Sequence, residues 1–281
     1  MNNSKMMSRG KIRTDKFLSE NTILCWFTDS WLKELEPYVI LRGYRGSVAH
    51  NTYEDSVTND DVDVIGVFIP PPDYLFGIKN VETIVREIPE KTKDKEILWD
   101  IVYYSLPKFM RLVVKQNPSI LSLLWLEEEF YITRTKFGEE LIKNRSRLLS
   151  KNCYDSYRGY AWSQFKRMTR YSTGKMGAKR KMLVEKFGYD VKNASHLIRL
   201  LRQGIEVVRT GEIKVCRDDR ELLLEIKKGK WPLKKVLDET RRLLEELDEA
   251  YEKTPLSSRL NAEYINYLCV NIIKNFYKIG E

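Results

Sequence analysis

Two aspartates one residue apart, Asp61 and Asp63, open the run DVDVIGVFIP, whose β-branched residues predict a strand. Alternate side chains of a strand share a face, so both carboxylates project one way while Val62 and Val64 project into an apolar layer. Carboxylates held that close repel unless a cation lies between them. A hard divalent ion such as magnesium takes oxygen ligands from one or two carboxylates together with substrate phosphates. Upstream, Gly46-Ser47 closes an earlier strand-like run, YVILRGYR. Gly46 lets the backbone approach a phosphate, and Ser47 is placed to open a short helix whose amides and dipole favour negative oxygens. Taken singly, these are an ordinary polar turn at Asn59, Asp60 and Asp61 and an ordinary loop. In this order, on neighbouring strands, they point to a site for phosphate and metal.

Further candidates are basic. His196 shares the segment NASHLIRLLRQG with Arg199 and Arg202, and Arg209 follows; a planar guanidinium grips phosphate bidentately, so this set could line a cleft. The same arginines also fit a solvated helix face, with His196 a packing residue. Lys175, Lys179, Arg180, Lys181 and Lys186, beside Tyr171, concentrate positive charge that could follow a nucleic-acid backbone, or simply face water. Tyr157, Tyr160, Trp162 and Phe165 form no stacking motif and read as core and rim.

These residues need elements to hold them. From Tyr38 to about Tyr104 the chain reads as strands and turns (YVILRGYRGS, VDVIGVFIP, VETIVREI, EILWDIVYY), with Pro70, Pro71 and Pro72 stopping the second strand. Asn21 to Leu35 suits a packed helix ended by Pro37. After about Ser105 the spacing turns helical. Ala194, Leu197, Ile198, Leu201, Ile205 and Val208 share one face, as do Val236, Leu237, Thr240, Leu243, Leu244 and Leu247. Leu260, Tyr264, Tyr267, Leu268, Asn271, Ile272 and Phe276 form a third stripe, read as core. The fold class is therefore α+β: a mixed sheet in a catalytic domain over 17–150, then a helical substrate-binding domain over 151–281, with the stretch around Tyr171 to Lys181 nearest to a linker.

Composition sets the outer bounds. The 281 residues, 42% hydrophobic, suffice for a sizeable core. A net charge of +9 permits attraction to a polyanion without demanding it. Four scattered cysteines without CxxC spacing argue against structural zinc or a redox pair and fit a reducing compartment. No apolar run reaches the roughly 18 residues of a membrane span, and no signal-peptide pattern opens the chain, so it reads as soluble and cytoplasmic.

The Gly46-Ser47 turn followed by Asp61-Val62-Asp63 resembles the signature of DNA-polymerase-β-type nucleotidyltransferases. With VDVIGVFIPPPDYLFGI, DIVYYSLPKFMRLVVKQNPSILSLLW and NASHLIRLLRQGIEVVRTGEIKV, roughly Leu41 to Tyr251 is similar to the RNA-repair-pathway (RlaP-like) branch, whose members are often linked to RNA ligases. The resemblance implies a third acid, which the match at WDIVYYSLPKF places at Asp100, and a two-metal site of Mg2+ or Mn2+ on Asp61, Asp63 and Asp100. It also implies phosphate contacts from Gly46, Ser47, Lys108, His196 and Arg199; if the acceptor is RNA, the positive charge of Lys175, Lys179, Arg180, Lys181 and Arg202 is expected to contact it. The expected reaction moves a nucleoside monophosphate from a triphosphate to an acceptor, foremost an RNA end, with Asp100 helping to activate the attacking hydroxyl. Pro107, where a basic residue is expected, and His50-Asn51, where a small or glycine-like turn is expected, depart from the pattern and bear on the phosphate contacts. Three other readings stay open: nucleotidylation of a protein or small molecule, a sensor without turnover, and a two-metal nuclease, which the Gly-Ser turn disfavours.

Overall fold

The computed structural model describes residues 22, 26, 28–54, 61–91, 96–169 and 178–279, without the side chains of 96 and 178–180. Its architecture is the α+β arrangement expected. Strands β1 (Val39–Tyr44), β2 (Val62–Phe68), β3 (Thr83–Lys91), β4 (Glu96–Ser105) and β5 (Tyr131–Arg134) form one sheet in the order β3-β4-β2-β1-β5. β2 and β4 run parallel; the other three pairings are antiparallel. Every residue of β1 is buried, as a central strand covered on both faces requires, whereas β3 alternates between exposed and buried as an edge strand does.

Around the sheet lie α1 (Ser30–Leu35), α2 (Gly46–Ala49), α3 (Pro72–Leu75), α4 (Leu106–Val114), α5 (Pro118–Ser122) and α6 (Lys136–Lys143). The later part contributes α7 (Cys153–Thr169), α8 (Ala178–Phe187), α9 (Val191–Thr210), α10 (Arg220–Lys227), α11 (Leu233–Glu252) and α12 (Ala262–Tyr277). The expected helix before Pro37 is seen as α1, capped by Asp29 Oδ1 accepting from Leu32 N at 3.0 Å; Pro37 itself sits in a 3-10 turn over Glu36–Tyr38. Pro72 starts α3 at the point where the proline run ends β2.

Two readings need correction. β5 falls within the stretch read as helical from Ser105: it is a four-residue edge strand with no fully buried position, so it carries no period-two signal. What fixes it lies elsewhere in the chain. The buried Arg42 of β1 donates to Thr133 Oγ1 at 2.8 Å, to Glu36 Oε1 at 2.8 Å and to Tyr103 Oη at 2.8 Å, so one paired charge ties β1 to β4 and β5. The last apolar stripe is also shifted. α12 starts after its Asn261 cap and buries Ile265, Leu268, Cys269 and Ile272, while Leu260 precedes it and Tyr267 faces outward.

α9 is the axis of the helical part. It buries all six apolar residues of its predicted stripe and packs against α7, α10 and α11. Asp190 caps its start, accepting from Asn193 N at 2.9 Å, and Gly211 at φ 71 ends it in the left-handed conformation. α12 returns to pack on α4 and α6, with Tyr277 Oη donating to Pro70 O at 2.7 Å. Among the described residues no helix is long and apolar enough to cross a membrane, and Cys153, Cys216 and Cys269 are free and buried.

Candidate active site

Parallel pairing of β2 with β4 sets Asp63 directly across from Asp100, on the face opposite Val62, Val64, Trp99 and Ile101, all of which are buried. The acid pair thus follows from register: the strand that packs its valines inward turns its aspartate outward. Burial and the neighbouring Asp100 charge push the Asp63 carboxyl up from 3.8 to about 6, although Arg45 pulls the other way. Asp61 lies just before β2, exposed, on the same side of the strand.

Arg45 was not singled out from the sequence, yet it spans the pair. Its Nη2 lies 2.6 Å from Asp100 Oδ2 and 3.4 Å from Asp63 Oδ1, and its backbone N–H donates to Asp63 O at 3.0 Å. The next residue, Gly46, has φ 61, and a Cβ there would come within 2.1 Å of Asp63 Oδ2. Only glycine fits both the left-handed backbone and that contact. The turn leads into the single-turn helix α2, in which His50 N donates to Gly46 O at 3.0 Å, and Asn51 follows at φ 59. The place where the family pattern calls for a glycine-like turn is thus met by an asparagine in the conformation glycine favours.

Gly46, Ser47, Asp61 and Asp63 line one wall of a cleft of about 320 Å3; Lys192, His196, Arg199 and Lys227 line another. Lys192, His196 and Arg199 recur at helical spacing along α9. Arg199 donates to Gln203 Oε1 at 3.1 Å; desolvation and the nearby Arg217 push its guanidinium down to about 10. His50, buried in the cleft floor, donates from Nδ1 to Val215 O at 3.0 Å. Burial and the adjacent cations Arg199 and Arg217 hold its pKa well below the usual histidine value, so it is neutral. Cleft and helical part are stitched together at Glu54, whose Oε1 is 2.9 Å from Lys228 Nζ.

The other sequence candidates scatter. Lys108 lies on α4, where its Nζ donates to Glu82 Oε2 at 2.9 Å, and it is not among the residues lining the cleft. Arg202 points to the other side of α9, its guanidinium 3.3 Å from Asp219 and 2.9 Å from Glu239, and Arg209 pairs with Glu246 at 2.8 Å. Lys181 is exposed on α8; Lys175 and the side chains of Lys179 and Arg180 lie outside the described residues. Besides Arg45, the sequence reading passed over Lys192 and Lys227. The available signal for Lys192 was its position four residues before His196 on the same helix.

The donor set suits a hard divalent cation in one respect. Two half-buried carboxylates stand side by side and hold a positive group between them, with Arg45 in that place. Among the described residues, however, no group of three or more His, Cys, Asp and Glu side chains is gathered closely enough to hold a metal as it stands.

The family described as the RNA repair pathway DNA polymerase beta family matches residues 30–271. No curated protein matches the sequence. Among solved structures, a nucleotidyltransferase-like protein from Exiguobacterium sibiricum 255-15 is similar at 9% identity, covering 90% of this chain and 77% of its own, with a TM-score of 0.31. With the family match running from α1 into α12, and the Gly-Ser turn and both acid strands inside it, this chain belongs to the RNA repair pathway DNA polymerase beta family, a branch of the polymerase-β-type nucleotidyltransferases.

Proposed function

We propose that the protein transfers a nucleoside monophosphate from a nucleoside triphosphate to the terminal hydroxyl of an RNA. One observation carries this reading: the Asp63 carboxylate, set beside Asp100 by the parallel pairing of β2 and β4, lines with Asp61 a cleft whose other wall is cationic. A triphosphate bridges such walls, with anionic oxygens toward Lys192, His196, Arg199 and Lys227 and its reacting end at the acids. Gly46 lets the turn pass close against the Asp63 carboxylate, where any Cβ would intrude, and so keeps the turn and the acid on one wall of the cleft.

Asp61, Asp63 and Asp100 would hold Mg2+ or Mn2+, which when bound supplies charge neutralisation at the α-phosphate and a more acidic acceptor hydroxyl. The acceptor oxygen forms a bond to the α-phosphorus, the bond from that phosphorus to the β-phosphate oxygen breaks, and pyrophosphate leaves. Asp100 takes the hydroxyl proton and passes it to solvent. The chain's own work is positioning and charge: Arg45 keeps Asp63 and Asp100 aligned before substrate arrives and yields its place to a stronger cation.

A second reading is a nucleotide sensor without turnover. It is favoured by the same Arg45, which already occupies the cation's place, and by the lack of a preformed group of three acids among the described residues. Incubation with each α-labelled triphosphate and magnesium or manganese, against RNA, transfer RNA and protein, separates the readings. Label on RNA that Asp61→Ala and Asp63→Ala both abolish is the expected result. Label on protein moves the acceptor to the other class, and tight nucleotide binding without any label leaves the sensor.

A further inference from the structure

Helix α7 presents an outer surface that the nucleotide site does not use. Tyr160 and Gln164 line the active cleft and also a neighbouring hollow of about 330 Å3 that continues to Arg167; Gly159 and Asp155 line that hollow and also a groove of about 710 Å3 between α7, α9 and α11. The shared residues set the cleft, the hollow and the groove side by side across α7. In the groove Trp162 is 52% exposed and stacks on Phe165, ring centres 5.1 Å apart and planes within 7°. An indole of that size is costly to leave in water unless something covers it.

The rim carries cations. Lys166 sits 5.4 Å from the Trp162 ring, Arg167 borders the hollow, and Arg158 and Arg241 border the groove in loose, exposed pairs with Asp248 and Asp238 at 3.7 and 3.6 Å. Among the described residues Lys166 and Arg167 have no acid partner, and Asp155 is the one acid lining either cavity. Gly159, at the junction, weakens an exposed helix interior, and a Cβ there would meet no atom within 4 Å, so packing does not require glycine. The open space over it leaves a crossing for a chain that lies close to the helix. Gln164, which lines both the cleft and the hollow, has its Oε1 buried without a hydrogen-bond partner.

We infer that this surface of α7 is the track of the acceptor strand: a single-stranded RNA whose terminal hydroxyl enters the cleft past Tyr160 and Gln164, whose backbone crosses Gly159, and one of whose bases stacks on Trp162. Aromatic faces bordered by cations bind single-stranded nucleic acid in this way, with little regard to sequence. The inference rests on the reading that RNA is the acceptor.

The test measures anisotropy of a short fluorescein-labelled oligouridylate with the full-length protein, alongside nucleotide transfer to the same oligonucleotide. Trp162→Ala should weaken binding about tenfold and raise the KM for RNA while leaving the KM for nucleotide unchanged, and Trp162→Phe should restore most of the affinity. Gly159→Phe should obstruct the track, whereas Gly159→Ala should not. If the wild-type protein extends the oligonucleotide and Trp162→Ala and Gly159→Phe behave like it, the track is wrong and the acceptor reading stands. If the wild-type protein neither binds nor extends RNA, the acceptor reading itself falls and the track with it.

Discussion

Two clusters of charge flank α9, and they follow opposite rules. On the side away from the cleft, Arg217 is almost fully buried and bonds to Glu206 at 2.5 and 2.8 Å and to Asp219 at 2.8 Å; Arg202 joins Asp219 to Glu239; and Arg242 joins Glu239 to Glu246. Each charge there has a partner. Burial by itself would raise the Asp219 carboxyl, but hydrogen bonds from Arg217 and Arg202 keep it below the ordinary value. On the cleft side, burial pushes Asp63 up and Arg199 down, each toward its neutral form. A structural ion-pair network stabilises the charged forms of its members; a site awaiting a charged ligand leaves them under-compensated. The difference separates scaffold from candidate site within one helix's width.

The largest expected effect breaks the under-compensated side. Asp63→Asn should cut nucleotide transfer on the order of a thousandfold, about 4 kcal/mol of barrier. In metal-free protein it should also raise stability at neutral pH by about 1–2 kcal/mol. The pH dependence gives the sign. Below 3.8 both folded and unfolded chains hold the Asp63 proton; between about 4 and 6 the unfolded chain releases it and the folded chain keeps it. Stability therefore falls as pH rises through that window, and the loss is complete above about 6. Denaturation of the wild type and of Asp63→Asn at pH 4 and pH 7 should show the drop in the former and a smaller one in the latter. A larger drop in the variant would mean that Asp63 is stabilised by its surroundings.

Breaking the paired side should cost stability. Arg217→Ala takes from Glu206 its cation and from Asp219 the nearer of its two, Arg202 remaining, at about 3 kcal/mol. It should lower the melting temperature by many degrees and flatten any fall in stability below pH 3.8, because the depressed Asp219 carboxyl is stabilising only while ionised. An unchanged melting temperature would show that the network is decorative.

How much of this was legible in the sequence follows the same divide. Asp61-Val62-Asp63 reads as a strand with acids on one face because period two is a local property, and Val62 and Val64 are indeed buried beneath them. The α9 stripe reads equally well, since the 3.6-residue period is local too. Asp100 was placed by resemblance alone: its position beside Asp63 depends on β2 pairing in parallel with β4, although β3 lies between them in the sequence, and spacing does not encode register between strands distant in the chain. β5 and Arg45 were missed for a similar reason, the first depending on Arg42 and the second on that same register. Arg199, Arg202 and Arg209 look alike along the chain. Only the acids of α11, which meet Arg202 and Arg209 but not Arg199 among the described contacts, tell them apart.

That separation within α9 supplies the finest test. Arg199→Gln should weaken triphosphate binding about tenfold or somewhat more, the worth of one charge-assisted hydrogen bond, and leave the melting temperature nearly unchanged because it removes a cation its surroundings disfavour. Arg202→Ala should do the reverse: nucleotide and RNA affinities stay at wild-type values while stability falls by about 1 kcal/mol as Glu239 and Asp219 each lose one contact. Calorimetric titration of nucleotide against both variants, paired with thermal melts, reads both quantities. If Arg202→Ala reduced affinity as much as Arg199→Gln, α9 would be one basic face, and the partition into a paired side and an expectant side would not hold. The partition survives only if each arginine moves one quantity and leaves the other in place.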